Sequence, residues 1–109
     1  MHRWKIYYIM ETFGEYIRQL RINAGLPIRK IAAQLDIDSS LLGRIERNER
    51  YANKEIIAGI AIIFKQDTQD LMKRFLSDQI AYKILDEDAD IEVLKVAEQK
   101  IEYLKSKIK

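Results

Sequence analysis

Residues 28 to 47 read Ile28-Arg29-Lys30-Ile31-Ala32-Ala33-Gln34-Leu35-Asp36-Ile37-Asp38-Ser39-Ser40-Leu41-Leu42-Gly43-Arg44-Ile45-Glu46-Arg47. Two short helical patterns lie in this run. Ile28, Ile31, Ala32 and Leu35 recur at i, i+3, i+4 and i+7, a single apolar stripe at helical period. Leu41, Leu42 and Ile45 make a second, narrower stripe, with Ser39, Ser40, Gly43, Arg44 and Arg47 left to face elsewhere. Between the two, Ile37 is placed to plug the angle of a tight connection, and Asp38 is of the type that caps a helix N-terminus. The run predicts two helices joined by a short turn, the second with a small, hydrogen-bonding and cationic outer side.

Upstream, Thr12-Phe13-Gly14-Glu15 has the Ser/Thr-x-x-Glu form of a capping box. Phe13, Tyr16, Ile17 and Leu20 follow at helical spacing, which predicts a first helix from about Phe13 to Asn23. Gly25 suits the left-handed position just past a helix end, and Pro27 suits the first turn of the next helix. Residues 1–11 precede this series. Trp4, Ile6 and Tyr8 alternate with Lys5, Tyr7 and Ile9, which reads as a short strand, as a weakly ordered leader, or as an arm whose Arg3 and Lys5 reach a DNA backbone or minor groove.

Downstream, Asn48 stands where a helix exits, and asparagine tolerates positive φ better than most residues. A fourth helix from about Asn53 to Phe64 is apolar almost all round. Such a helix is normally covered on both sides, so one side is expected on the preceding helices and the other on the C-terminal region or a second subunit. A fifth helix opens at Asp67 and continues to about Leu85, with Ser77-Asp78 either interrupting it or riding on its surface. The acidic run Asp86-Glu87-Asp88-Ala89-Asp90 reads as a solvated turn and helix cap. The last helix, about Ile91 to Lys107, carries Leu94, Ala97, Ile101, Leu104 and Ile108 at alternating steps of three and four, a heptad seam. That seam serves either a second copy of the chain or packing within it.

The totals agree with one small, mostly helical domain and an extension. The 109 residues include one proline and are 48% hydrophobic. No cysteine is present, which removes disulfides and thiolate metal sites and fits a reducing cytoplasm. No apolar run approaches the roughly 20 residues needed to span a bilayer, and the first ten residues lack the form of a secretion signal. Net charge is +2. Residues 11–66 hold nine basic against seven acidic side chains, and residues 67–109 hold eight against ten. The basic excess thus lies in the N-terminal two thirds. Nothing assembles a base, a nucleophile and an oxyanion site, and the one histidine is His2. The chain is therefore read as non-enzymatic, with no catalytic residue, metal site or cofactor.

Three stretches together resemble the XRE-like, Cro and phage-repressor family of helix-turn-helix regulators. They are Phe13-Gly14-Glu15-Tyr16-Ile17-Arg18-Gln19-Leu20-Arg21, then Leu26-Pro27-Ile28-Arg29-Lys30-Ile31-Ala32, then Ile37 through Arg50 with its Ile45-Glu46-Arg47 close. The resemblance covers about residues 12 to 76. It implies an all-α fold: a five-helix repressor-type DNA-binding domain over 12–76, with 77–109 a C-terminal helical extension and possible dimerisation element. With such a tail the chain is also similar, more distantly, to controller-type regulators of restriction–modification systems. Two departures stand out, Ile28-Arg29 where the family often has glutamine and Asn48 where it often has glycine.

The resemblance implies that the third helix lies in a major groove, with Ser39, Ser40, Gly43 and Arg44 toward base edges. Arg29 and Lys30 then fall near phosphate, and Arg47, Arg50 and Lys54 would add salt-sensitive, sequence-independent affinity. Each of these cations is otherwise a solvated surface charge, and Gly43 otherwise serves close packing on the second helix. One such domain binds weakly, so a homodimer is expected, presenting two recognition helices to half-sites about one DNA turn apart. Ile56 and Ile63 of the fourth helix and Leu94, Ala97, Ile101, Leu104 and Ile108 of the tail are the expected dimer surface. The expected partners are double-stranded DNA and a second copy, with no membrane, in the bacterial cytoplasm at the nucleoid. The rival expectation is an interaction module, an antitoxin or an accessory subunit of a DNA-modification system, whose fourth helix and tail bind another protein.

Overall fold

The computed structural model describes residues 11–108, and their regular elements are six α-helices. They are α1 (Phe13–Asn23), α2 (Ile28–Leu35), α3 (Ser39–Glu46), α4 (Lys54–Phe64), α5 (Thr68–Asp86) and α6 (Glu92–Ile108). The strand, leader or arm expected over residues 1–10 lies outside the described residues. The helices fall in two compact units, one ending at Asp78 and the other beginning at Gln79, so the division lies inside α5.

Local chemistry sets the ends of the helices. At the start of α1 the Glu15 N–H donates to Thr12 Oγ1 at 3.1 Å and the Thr12 N–H donates to Glu15 Oε1 at 2.9 Å, a complete capping box. Gly25, at φ 68°, closes α1, and the Leu26 N–H reaches back to the Arg21 carbonyl at 3.2 Å. Four other helix ends use the same left-handed turn without glycine: Asp36 after α2, Asn48 after α3, Lys65 after α4 and Asp88 after α5, at φ 57°, 63°, 55° and 49°. Pro27 immediately precedes α2 rather than opening its first turn. Asp38 stands at the N-cap of α3 with extended backbone, but its side chain makes no capping hydrogen bond. Asn53 does cap α4, accepting from the Ile56 N–H at 2.8 Å.

The first unit closes around one core. Phe13 and Ile17 of α1, Ile31 and Ala32 of α2, Leu42 and Ile45 of α3, four residues of α4 and Leu71 of α5 are all buried. The α4 residues are Ile56, Ile57, Ile60 and Ala61, and the neighbouring Ile63 and Phe64 pack on the same core from its edge. The apolar side of α4 expected to need the C-terminal region or a second subunit is thus largely taken up within the first unit. Ile56, expected at a dimer surface, is spent inside its own domain, and Ile63 is half-buried there. The apolar residue that α4 leaves in solvent is Ile62, 79% exposed. A tight approach explains the coverage: a Cβ on Gly59 would stand 2.5 Å from Leu35 Cδ2 of α2.

Helix α5 runs unbroken through Ser77 and Asp78. Asp78 does not ride on the surface either. Its Oδ2 accepts the Phe13 N–H at 2.7 Å, which ties the middle of α5 to the first turn of α1. Beside it, Phe75 meets the Phe13 ring edge-on at 5.4 Å, and Tyr16 donates its hydroxyl to Gln66 Oε1 at 2.6 Å.

The second unit is built otherwise. Asp88 at φ 49° turns the chain after α5, and Asp90 Oδ1 accepts the Glu92 N–H at 2.9 Å ahead of α6. No residue of α6 is buried. In its seam Leu94 is 40% exposed, Ile108 is 81% exposed, and Ile101 and Leu104 lie between them. No helix among the described residues is long and apolar enough to cross a membrane.

Candidate functional site

Helix α3 has two sides of opposite character. Leu42 and Ile45 point into the core, and between Ile45 and the helix end stands Glu46, a carboxylate only 5% exposed. An unpaired charge at that depth would be costly. Arg21 of α1 answers it: Nε donates to Glu46 Oε2 at 2.8 Å and Nη2 to Oε1 at 2.9 Å. The third nitrogen, Nη1, donates to the Leu26 carbonyl at 3.1 Å, in the segment that leads into α2. The Glu46 hydrogen bonds are the main reason the Arg21 guanidinium sits above its ordinary pKa, against the opposing effect of burial. A fork of this geometry permits little rotation of α3 about its own axis.

A second link holds the C-terminal end of α3. Asn48, in the left-handed turn that ends the helix, accepts the Gly14 N–H on Oδ1 at 3.3 Å and donates from Nδ2 to Thr12 Oγ1 at 2.8 Å. Gly14 permits the approach. A Cβ there would stand 2.5 Å from the Ile45 carbonyl oxygen and 2.6 Å from that of Glu46. Helix α3 is thus fixed to α1 by a buried ion pair, an asparagine bridge and direct backbone proximity.

The other side of α3 is in solvent. Ser39, Ser40, Arg44 and Arg47 are exposed. Among the described residues Arg44 has no ion pair, and the same holds for Arg29 and Lys30 at the start of α2, for Arg50 in the turn after α3 and for Lys54 opening α4. Arg47 differs. Its guanidinium pairs with Glu49, Nε to Oε2 at 3.2 Å and Nη2 to Oε1 at 3.3 Å. Gly43 differs too, because it is buried. A Cβ on it would meet Arg47 Nη1 at 3.2 Å and Ile28 Cδ1 of α2 at 3.6 Å. Of the two roles open to Gly43, close packing on α2 is the one its surroundings match, and a base edge reaches it only if Arg47 moves.

The sequence by itself leaves Arg21, Glu46, Gly14 and the side-chain role of Asn48 unassigned. Two signals were present. Glu46 sits on the apolar side of the α3 pattern, between Ile45 and Arg47, where a lone carboxylate demands a cation. Gly14 lies inside a helix, where glycine costs about 1 kcal/mol against alanine and so marks a close approach.

The family model for the helix-turn-helix matches residues 17–71, from within α1 to the first turns of α5. No curated protein sequence matches the chain. Among solved structures, the crystal structure of the clp gene regulator ClgR from Corynebacterium glutamicum is similar, with a TM-score of 0.52 at 19% identity. That similarity covers 81% of this chain and 88% of the other, and at that identity it is a likeness of fold.

Proposed function

Because the chain belongs to the XRE-like helix-turn-helix family, we propose that it is a homodimeric transcriptional regulator that reads double-stranded DNA with α3 in the major groove. The observation that carries this reading is the division of α3. One side is locked by Leu42, Ile45 and the Glu46–Arg21 pair, while Ser39, Ser40 and Arg44 are exposed on the other among the described residues. A rigid helix with an open polar side meets the geometric need of direct readout, which is a donor held at a set height above the base edges. Arg44 is the principal reader, able to meet guanine O6 and N7 with two hydrogen bonds. Ser39 and Ser40 enter beside it at the N-terminal turn. Arg29, Lys30, Arg50 and Lys54 flank that face in sequence and would contact phosphate.

Dimerisation is assigned to the second unit, where Leu94, Ala97, Ile101, Leu104 and Ile108 form an apolar row without a buried member. Two joined copies would read a palindrome with half-sites about one helical turn apart. A regulator of this kind works at the bacterial nucleoid. The exposed row equally suits a different protein, which is the competing reading of the chain as an interaction module; a stoichiometric partner retained through purification would favour it.

Selection of bound duplexes from a random pool tests the assignment, with a palindromic consensus as the expected product. Arg44→Ala should then lose about 1–3 kcal/mol of discrimination at one base pair in each half-site, the fold being intact by circular dichroism. Equal losses on the selected and a scrambled duplex would refute base reading by Arg44.

A further inference from the structure

Arg47 is the C-cap that follows α3, and its side chain runs back along that helix toward the N-terminus, the direction in which helical side chains lean. Nη1 lies 3.2 Å and Cζ 4.0 Å from where a Cβ on Gly43 would stand. The guanidinium therefore rests over bare backbone, on the same side of α3 as Arg44 and the two serines. Any side chain at position 43 would crowd this seat.

Glu49 fixes the plane of the group. It takes the edge of the fork formed by Nε and Nη2. The opposite edge, Nη1 and the second N–H of Nη2, has no hydrogen-bond partner among the described residues and can serve a two-point acceptor. An exposed pair of this type, with Arg47 at 60% and Glu49 at 55% exposure, adds little to stability. Its effect is one of direction. A carboxylate is a poor neighbour for a cation that must approach phosphate, since it meets that phosphate as a like charge. It is a good neighbour for a guanidinium that must be held in one orientation above a base.

We infer that Arg47 is a specificity-determining residue, seated on Gly43 and oriented by Glu49 so that its free edge meets O6 and N7 of a guanine in the major groove. Glu49 is then a positioning residue, and Gly43 serves by having no side chain. The inference deepens the proposed function and rests on it. It moves Arg47 out of the group of phosphate contacts and gives each half-site a second arginine reader.

The test uses the full chain, the selected duplex and a scrambled duplex, titrated over a series of salt concentrations. Arg47→Lys keeps the charge and loses the fork. Its ratio of specific to scrambled affinity should fall roughly 5- to 150-fold, with the slope of log affinity on log salt unchanged. Glu49→Gln, which leaves one carbonyl oxygen to accept, should lower the ratio by less and at the same base pair. Should Arg47→Lys leave the ratio where it was, or Arg47→Ala weaken both duplexes alike and reduce the salt slope by about one, Arg47 is a phosphate contact and the inference is wrong. A wild-type chain that enriches no sequence at all overturns the regulator reading and this assignment together. A clear consensus with an unaltered Arg47→Lys ratio removes this assignment alone.

Discussion

Asp78 holds a carboxyl that the fold both uses and penalises. Burial pushes its pKa up, the Phe13 N–H that it accepts pulls it down, and the Glu15 charge nearby pushes it up again; the net direction is upward from 3.8. The folded chain therefore binds a proton at Asp78 over a pH range in which the unfolded chain has released it. Stability from this group is greatest below the unfolded value and falls as pH rises through the folded one. Asp78→Asn keeps an acceptor for the Phe13 N–H and carries no charge. Its melting temperature relative to wild type should climb between about pH 4 and about pH 7. A difference that stays constant or shrinks over that range would show that Asp78 keeps an ordinary carboxylate pKa. Arg21 and Glu46 make the complementary point. Their charges are buried in a matched pair, and the pair orients α3 more than it adds net stability.

Between helices, the decisive fact is how closely α1 and the end of α3 approach. Gly14→Ala ought to help α1 in isolation by about 1 kcal/mol. In the folded chain the new methyl group would enter the space of two carbonyl oxygens, those of Ile45 and Glu46. Backbone cannot rotate out of the way as a side chain can. The expected outcome is a net loss of about 1–3 kcal/mol in urea denaturation, the usual range for overpacking. A variant as stable as wild type would mean that α1 and α3 can separate without loss. The ends of the helices show a related economy. Asp36, Asn48 and Lys65 take left-handed turns where glycine would fit with less strain. Asn48 offsets that strain with a side chain that bridges to Gly14 and Thr12, which glycine could not do.

Taken whole, the chain divides its apolar residues unequally. The unit ending at Asp78 buries a shared core, whereas none of the described residues from Gln79 onward is buried. A stretch of that size has too little interior to be stable alone, which is what the proposed pairing with a second copy would supply. Ile101, 51% exposed, can take a charge without disturbing the fold of one chain. Ile101→Lys should weaken self-association roughly tenfold or more, since a fully buried isoleucine contributes about 1.5–3 kcal/mol. Sedimentation that still finds an undiminished dimer would move the interface away from this seam.

Helix boundaries, the capping box, the glycine and asparagine exits and the tight turn between α2 and α3 were legible along the chain. Each depends on neighbours within a turn or two, and apolar period carries that information. The solvent exposure of Ser39, Ser40 and Arg44 was legible for the same reason, because it follows from which stripe of α3 is apolar. Folding in three dimensions decided the rest. Arg21 finds Glu46 across 25 residues, and Phe13 finds Asp78 across 65. It also decided that Ile56 belongs to the core and that the Arg47 guanidinium lies over Gly43. No local pattern encodes these. A charge or a missing side chain takes its meaning from the group brought opposite it, and that group is set by how the helices pack.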